Sequence, residues 1–115
     1  MLPKENRLLK REDFEKVKKE GKKFQGKFFG VLVLKTGGDF SRFGFIFSTK
    51  LTKKTVLRNR LKRIFREVIR GLLNRLRAGY DIIFLGRKEV LDKSFFEISE
   101  ETKRVLRKAG ILVEK

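Results

Sequence analysis

A long amphipathic helix is the feature that most restricts how this chain can fold. Over about residues 53–77, apolar side chains recur with the 3.6-residue period of a helix and fall within one arc of a helical wheel. The apolar arc contains Leu57, Leu61, Ile64, Phe65, Val68, Leu72 and Leu76. A helix of this kind must cover its apolar side with another packed layer. The sequence therefore predicts a layered fold with this helix on one surface.

Further strands and helices are predicted on both sides of the long helix. Helices are expected at residues 11–20 and 94–110, and strands at 27–35, 42–48 and 80–86, with one more short strand near Phe24. Turn residues at 36–39 predict a hairpin between the first two of these strands. The second hairpin strand, the long helix and the strand that follows it predict a βαβ unit. Ser94 and Glu97 have the capping-box spacing at the start of the last helix.

These elements predict an α+β fold. The expected architecture is a sheet with helices mostly on one of its faces, in the element order α-β-β-(β)-α-β-α. A chain of 115 residues is too short for two cores that each bury enough apolar surface. Residues 1–115 are therefore expected to form a single domain.

The charge of the chain predicts a polyanionic partner. There are 31 Lys and Arg residues against 14 Asp and Glu, a formal net charge of +17, and these charges repel one another unless a polyanion neutralises them. Residues 53–70 contain eight bases and one acid, Glu67, so pairing along the helix cannot account for the bases. The polar side of the helix is therefore predicted to contact nucleic-acid phosphates. Arg58, near the edge of the apolar arc, is expected to reach along the sheet edge to an anion.

The composition argues against a protein that carries out catalysis by itself. The chain has no Cys and no His, which excludes disulfides, thiolate chemistry and histidine acid–base catalysis. The acids are scattered along the sequence, so neither a catalytic residue nor a metal site is predicted. Asp81, beside a predicted buried strand, is expected to make a structural hydrogen bond to a neighbouring loop.

The sequence also predicts where the protein works. It has no apolar run near the roughly 18 residues that a membrane-spanning helix needs, no lipidation motif and no secretory leader. We therefore expect no membrane partner and a cytoplasmic location.

Four segments carry a resemblance to a known family. The segment TVLRNRLKRIFRE (residues 55–67), with its Arg-Asn-Arg core, resembles the signature helix of the bacterial ribonuclease P protein subunit. The segments RLLKREDFEKVKKEG (7–21), FGFIFSTK (43–50) and YDIIFLGRK (80–88) follow the order and spacing of that family. Each segment is a weak signal alone. Together they are specific and extend over nearly the whole chain.

The resemblance implies a role in the 5′ maturation of tRNA. Members of this family assist a catalytic RNA that cuts the 5′ leader from precursor tRNA, so the implied partners are that RNA and precursor tRNA, without an obligate protein partner. The RNA carries the chemistry, no cofactor is expected in the protein itself, and Mg²⁺ is expected for the holoenzyme. The family also implies a small α/β sandwich, with a central, mostly antiparallel sheet and a left-handed βαβ crossover. The residues implied to bind the catalytic RNA are Arg58, Asn59, Arg60, Lys62, Arg63 and Arg66.

The same resemblance implies a cleft between the first helix and the sheet that holds the single-stranded leader. The residues implied for this cleft are Phe14, Lys50, Lys53, Lys54, Arg87 and Lys88. Phe14 matches an aromatic stacking platform, although core packing with Val17 is the alternative that the residues alone favour. Lys18 stands where many relatives have a second aromatic residue. Leader binding is therefore expected to rely more on charge and less on stacking in this chain.

Two other functions fit the composition. A ribosomal-type or RNA-chaperone protein with no role in cleavage would share the size and charge, but it would have no need of a cleft for single strands. A DNA-binding regulator could place the long helix in a major groove, yet the sequence contains no helix-turn-helix pair and no dimer seam.

Overall fold

The computed structural model describes residues 2–113 and contains a four-stranded sheet with three α-helices. The helices are α1 (Arg11–Glu20), α2 (Thr55–Leu72) and α3 (Phe95–Lys108). The strands are β1 (Lys22–Gln25), β2 (Phe29–Lys35), β3 (Arg42–Ile46) and β4 (Tyr80–Gly86). The order α1-β1-β2-β3-α2-β4-α3 confirms the predicted α+β class and the short additional strand near Phe24.

The order of the strands in the sheet is β1-β2-β4-β3, and this order shows that the predicted hairpin is wrong. Strand β4 lies between β2 and β3, so these two strands do not pair with each other. The loop after β2 passes over the start of β4 instead of turning back, because the amides of Thr36 and Gly37 donate to the carbonyl of Gly79 at 2.7 and 3.1 Å. The hairpin that the chain does form joins β1 to β2.

The predicted βαβ unit is confirmed. Strands β3 and β4 are parallel, with Phe45 paired to Phe84, and α2 connects them. The other two strand pairs are antiparallel, so the sheet is mostly antiparallel as expected. The left-handed sense of the β3-α2-β4 crossover stays a prediction from the family resemblance.

One face of the sheet carries the main hydrophobic core, which is built around Phe65 of α2. The Phe65 ring is 0% exposed and lies 5.1 Å from the ring of Phe29 in an edge-to-face arrangement. The rings of Phe84 and Phe47 lie 5.3 and 5.4 Å from it. Alternate residues of each strand point to this face, so the aromatic rings of three strands converge on one helical residue. This packing orients the opposite face of α2 outwards.

Helix α2 ends at Leu72, before the predicted end near residue 77. A single 3-10 turn, Leu73–Arg75, follows it, and Leu76 then forms an isolated bridge with Leu112. Leu76 continues the apolar period of the sequence, but it contributes to the core from an extended segment. The hydrophobic pattern is therefore longer than the helix that it predicts.

Helix α3 begins with the predicted capping box. The backbone N–H of Glu97 donates to the Ser94 hydroxyl, and the backbone N–H of Ser94 donates to the Glu97 carboxylate, both at 3.1 Å. Further along α3, the buried carboxylate of Glu101 accepts two hydrogen bonds from Arg104 at 2.7 and 2.8 Å and one from the backbone N–H of Lys27. These contacts tie α3 to the turn between β1 and β2.

Candidate nucleic-acid interface

The outer face of α2 carries the predicted cluster of cations. Asn59, Arg60 and Arg63 are exposed, whereas Lys62 and Arg66 are half-buried at one side of the helix. None of these five side chains has a hydrogen-bond or ion-pair partner within residues 2–113. The structure therefore places four cations and the neutral amide of Asn59 together on one helix, where they are available to a ligand.

Arg58 differs from the other predicted residues of this helix. Its guanidinium donates to the carbonyl of Thr52 at 2.7 Å and to the hydroxyl of Thr55 at 3.1 Å. The side chain therefore holds the preceding loop against the start of α2. These partners are groups of the chain itself and not the anion that the sequence predicts at the sheet edge.

The first turn of α2 has features that suit an anionic ligand. The N-cap residue Lys54 makes no side-chain capping hydrogen bond, and the first turn contains no acid. The N-terminal end of a helix carries a partial positive charge, which nearby cations reinforce. The arrangement costs stability in the free protein and favours phosphate groups near this end.

The second face of the sheet is only partly covered. Helix α1 packs on it through a small cluster in which Leu8, Val17 and Ile83 are buried. Four further apolar side chains of the strands remain half-buried beside this cluster, and they are Leu32, Leu34, Ile46 and Leu85. One short helix is too narrow to cover a four-stranded sheet, so part of this apolar surface stays accessible next to α1, where the resemblance implies the cleft.

Phe14 sits at the edge of this cleft. A Cβ atom at Gly44 would come within 2.6 Å of two carbons of the Phe14 ring, so the glycine allows the ring to lie directly on β3. Phe14 itself is half-buried, and the neighbouring Val17 is fully buried. The ring therefore packs against the sheet and also presents part of its surface to the cleft, which combines the two interpretations that the sequence allows.

The predicted cations of the cleft belong to two neighbouring segments. Lys50, Lys53 and Lys54 are exposed on the loop between β3 and α2, and Lys88 is exposed after β4. The loop is anchored beside the end of β4, because a Cβ at Gly86 would overlap the ring of Phe47 and lie 3.3 Å from Leu51.

Arg87 is held more firmly than these lysines. Its guanidinium donates to the side-chain oxygen of Gln25 at 2.7 Å and to the carbonyl of Gly26. Gln25 belongs to β1 and Gly26 follows it, so Arg87 joins the end of β4 to the edge strand across the sheet. These bonds hold Arg87 in place, whereas the side chains of Lys50, Lys53, Lys54 and Lys88 have no partner within residues 2–113.

A partly buried ion-pair network connects α1 to the sheet. Arg42 donates two hydrogen bonds to Asp81 at 2.6 and 2.8 Å and one to Asp13 of α1 at 3.2 Å. The hydrogen bond to Asp81 is the main cause that raises the pKa of Arg42 above its usual value. Asp81 thus binds a neighbouring strand and not the loop that the sequence predicts. Because Arg42 and Asp81 are register partners in β3 and β4, correct strand pairing would have revealed the contact.

No cluster of three metal-ligating side chains occurs within residues 2–113. In the same range, no helix is long and apolar enough to cross a membrane. The carboxylates that do meet, Asp13 and Asp81, are both occupied by Arg42. The polar chemistry of the described chain is therefore dominated by cations.

The fold and its two cationic surfaces define a small nucleic-acid-binding protein. A family model described as "Ribonuclease P" matches residues 2–110. The ribonuclease P protein component of Alkaliphilus oremlandii is 38% identical over 107 residues, which cover 93% of each chain. That of Caldanaerobacter subterraneus subsp. tengcongensis is 32% identical over 115 residues, which cover 100% of this chain and 98% of the relative.

Solved structures agree with the sequence matches. The RNase P protein from Thermotoga maritima is 35% identical and superimposes with a TM-score of 0.81 over 89% of this chain and 96% of that chain. The Staphylococcus aureus RNase P protein is 29% identical, with a TM-score of 0.85 over 93% and 97% of the two chains. The chain belongs to the bacterial ribonuclease P protein family. It is therefore a protein component of the ribonucleoprotein endoribonuclease that matures the 5′ ends of tRNA, and it associates with ribonuclease P RNA.

Proposed function

We propose that this chain is a single RNA-binding domain that contacts two RNA segments at once. The outer face of α2 binds the catalytic RNA, and the cleft beside α1 binds the single-stranded 5′ leader of precursor tRNA. The observation that carries this proposal is the unequal covering of the sheet. Its Phe65 face is closed by α2 and α3, whereas its Phe14 face is half-open and has cations at one end.

Contact between α2 and the catalytic RNA follows from the chemistry of the outer face. Arg60 and Arg63 each present a planar fork of donors to solvent, and such forks match the geometry of phosphate oxygens. Each phosphate that a cation neutralises releases condensed counterions, which supplies affinity without sequence preference. Asn59, on the same face, adds a neutral donor and acceptor for base or ribose edges. Arg58 contributes mainly by holding the loop before α2 in place.

Leader binding follows from the shape of the cleft. An unpaired base can stack on Phe14, a contact worth about 1–3 kcal/mol that tolerates any base. Half-buried Leu32 and Leu85 extend the apolar floor away from the ring. The phosphates of the same strand then approach Arg87 and the lysines at positions 50, 53, 54 and 88. With Lys18 exposed one turn after Phe14, the cleft has a single stacking platform and many charges.

The protein contributes binding, and we assign the cleavage chemistry to the RNA. No group of three acids or other metal ligands meets within residues 2–113, so the Mg²⁺ expected for the holoenzyme fits the RNA better than this chain. By neutralising crowded phosphates, the cations of the protein would lower the metal concentration that the RNA needs. We place this activity in the cytoplasm, where bacterial transcripts are processed.

The proposal is tested by single-turnover cleavage of precursor tRNA by a bacterial ribonuclease P RNA at low Mg²⁺. The rate is measured with and without the protein for substrates whose leaders differ in length. Stimulation should grow as the leader lengthens, because a longer leader fills more of the cleft. Stimulation that is independent of leader length would remove the cleft from the mechanism, while the contact of α2 with the catalytic RNA would stand.

The role of Phe14 is tested with Phe14→Ala and the control Phe96→Ala. Phe96 is an exposed aromatic residue on α3, outside the cleft. In the holoenzyme, Phe14→Ala should lower affinity for leader-bearing precursor by about tenfold, and affinity for mature tRNA should change much less. Phe96→Ala should leave both unchanged. An equal loss for both RNAs in Phe14→Ala would show that the ring serves only to pack α1 on the sheet.

A further inference from the structure

A pocket lies at the C-terminal end of α2, at the opposite end of the helix from Lys53 and Lys54. Its volume is about 350 Å³, near the lower limit of the roughly 300–1,000 Å³ that small-ligand sites usually have. Its lining comes from the N-terminal segment, the loop between β2 and β3, and residues 73–78, which follow α2. Helix α2 has 18 residues and is therefore about 27 Å long, so the pocket is far from the lysines before its first turn.

Hydrogen bonds between the lining segments hold the walls of this pocket. The side-chain amide of Asn6 donates to the carbonyl of Ser41 at 2.8 Å, and the Ser41 hydroxyl donates to the carbonyl of Arg77 at 2.6 Å. The same hydroxyl accepts from the backbone N–H of Tyr80 at 3.1 Å. Ser41 is buried, so these bonds lie beneath the surface of the pocket. The pocket is therefore formed in the free protein and does not need a ligand to assemble it.

The charge of the pocket differs from that of the rest of the molecule. Its lining contains one acid, Asp39, and one base, Arg77, in a chain whose net charge is +17. Neither side chain has a hydrogen-bond or ion-pair partner within residues 2–113. A phosphate group gains little here, because the carboxylate repels it. The pocket instead suits an uncharged ligand that has donors for Asp39 and an acceptor for Arg77.

An exposed aromatic ring forms one wall of the pocket. Phe40 is 52% exposed, although phenylalanine is among the residues that proteins most often bury. The loop that carries the ring is held near β4, because the amide of Gly37 donates to the carbonyl of Gly79 at 3.1 Å. The other apolar residues that line the pocket are Phe43, Leu73 and Leu76. These walls suit a flat aromatic ligand that stacks on Phe40.

Guanine combines these properties better than the other RNA bases. Its Watson–Crick edge presents two adjacent donors, the N1–H and the N2 amino group, which one carboxylate accepts together. Its O6 oxygen accepts from a guanidinium. Adenine and cytosine present an unprotonated ring nitrogen at this edge, which a carboxylate repels, and uracil presents a single donor between two acceptors. Unpaired RNA bases are commonly recognised by stacking on an aromatic ring and by hydrogen bonds to this edge.

We propose that this pocket binds an unpaired guanine base of ribonuclease P RNA. Phe40 stacks on the base, Asp39 accepts from the N1–H and the N2 amino group, and Arg77 donates to O6. The protein thereby gains a base-specific contact at the end of α2, which contacts to phosphates do not provide. The affinity for guanine rests on the pocket alone, whereas the assignment to RNA rests on the proposed function.

The first experiment measures base preference in the free protein. Three pentanucleotides are titrated, each with uridines around a central guanine, hypoxanthine or adenine, and the backbone amide shifts of Phe40, Asn74 and Arg77 are followed by NMR. The three RNAs carry the same phosphates, so contacts of the backbone elsewhere on the protein are equal. The guanine RNA should give saturable shifts at these residues. Hypoxanthine lacks the N2 amino group and should bind about tenfold more weakly, and adenine more weakly still. Shifts that do not saturate, or equal affinity for the three bases, would overturn the proposal.

Asp39→Asn and Phe40→Ala test the two recognition elements separately. Both side chains are exposed, so neither change should unfold the protein. Asp39→Asn should abolish most of the preference for guanine over hypoxanthine. Phe40→Ala should weaken binding of all three RNAs to a similar extent, because stacking tolerates any base. The controls Asp92→Asn and Phe96→Ala make the same changes at exposed positions outside the pocket and should leave the Kd values unchanged. A guanine preference that survives Asp39→Asn would contradict the proposal.

The second experiment identifies the source of the guanine. The affinities of the wild type, Asp39→Asn and Asp92→Asn for the cognate ribonuclease P RNA are measured at several salt concentrations. Removing an acid from a basic protein strengthens RNA binding through charge alone, so a loss of affinity in Asp39→Asn is a specific signal. We expect a loss of about tenfold, without a flatter slope of log affinity against log salt, because no phosphate contact is removed. Asp92→Asn should bind the RNA at least as tightly as the wild type.

The two experiments separate the pocket from the source of its ligand. If Asp39→Asn weakens binding of the guanine pentanucleotide but not of ribonuclease P RNA, a free guanine nucleotide is the ligand and the RNA assignment is overturned. A failure of leader-dependent stimulation in the wild type would leave both measurements unaffected. The proposed leader cleft and the guanine pocket therefore fail separately.

Discussion

Helices α2 and α3 pack on the same face of the sheet, yet their polar sides are organised in opposite ways. Helix α3 begins with the Ser94 capping box, and its bases Lys103 and Arg104 pair with Glu100 and Glu101. Helix α2 begins without a side-chain cap, and its first turn has no acid. The cations on its outer face have no partner within residues 2–113 apart from Arg70, which pairs with Glu67 at 3.5 Å, and Arg58, which bonds to its own loop.

We propose that the difference separates a helix that stabilises the fold from a helix that binds RNA. Lys103 and Arg104 of α3 are paired with acids of the same helix, so both of its sides contribute to the native state. The stability of α2 comes from its inner side, where Phe65 meets the aromatic rings of the sheet. Its outer side adds repulsion in the free protein, and a polyanion converts that repulsion into affinity. Four variants test this division, and they are given in order of decreasing effect.

Removing the central aromatic ring from the inner side of α2 should cause the largest loss of stability. Phe65→Ala removes a ring that is 0% exposed and should destabilise the protein by about 3–5 kcal/mol. The control is Val56→Ala on the same helix, where the side chain is 75% exposed and a change of no more than about 0.5 kcal/mol is expected. Urea denaturation of both variants provides the comparison. Similar midpoints would mean that α2 is not held by its inner face.

Breaking an ion pair within α3 should have the second-largest effect on stability. Glu101→Gln removes a buried charge that Arg104 and the Lys27 amide bind, and it should cost about 2–3 kcal/mol at neutral pH. Urea denaturation at pH 7 measures this loss. Glu100→Gln, in a more exposed pair, should cost less than about 0.5 kcal/mol.

The effect of Glu101 should also depend on pH. The hydrogen bond from Arg104 is the main cause that holds the pKa of Glu101 below its usual value. A lowered folded-state pKa gives stability that is fully present above the unfolded pKa of about 4.3 and is lost as pH falls through the folded value. The stability difference between the wild type and Glu101→Gln should therefore narrow below about pH 4. A constant difference down to pH 2 would show that the charge of Glu101 is not the stabilising feature.

Removing charge from α2 should affect binding and leave folding almost unchanged. The double variant Arg60→Ala, Arg63→Ala should bind catalytic RNA about tenfold more weakly at moderate salt, a loss of about 1.4 kcal/mol. Its slope of log affinity against log salt should flatten by about 1 to 2 units. As the control, Lys103→Ala with Lys108→Ala removes equal charge from α3 and should change the slope little. Equal slopes for the two double variants would mean that the outer face of α2 is not specially placed against RNA.

The smallest effect is expected at the start of α3. Ser94→Ala removes the hydroxyl that accepts from Glu97 and should destabilise the protein by about 1 kcal/mol, without changing RNA affinity. Thermal unfolding and RNA titration measure the two quantities. A loss of RNA affinity that exceeds the loss of stability would assign α3 a place in the interface and contradict the division between the two helices.

Local chemistry made much of the fold predictable from the sequence. Helix α1 has the predicted limits, and the Ser94 and Glu97 pair predicted the start of α3, because caps and helical periods depend on neighbouring residues. The strand order was not predictable in this way. Gly37 and Gly38 resemble a hairpin turn, but the chain there crosses β4, and that outcome depends on residues some 40 positions later.

The candidate site was also predictable only where it depends on residues that are close in sequence. The cations of α2 are consecutive in sequence, so their common face could be predicted from helical geometry. The contact of Arg42 with Asp13 and Asp81 joins three segments that are distant in sequence. The positions of charged residues in the sequence do not reveal such contacts between distant segments. The partners of Arg58 were missed because its hydrogen bonds go to loop groups that a helical wheel does not contain.

Strand β4 is the last strand of the chain, although it lies inside the sheet between β2 and β3. On the ribosome, β1 and β2 can pair as soon as they emerge, but β3 has no strand partner until residues 80–86 have been made. Sheet closure must therefore follow the synthesis of all of α2, and pairing across such a separation is slow. During that interval, nascent chains expose apolar strands. The net charge of +17, which we propose serves RNA binding, is also expected to keep such unfinished molecules apart by mutual repulsion.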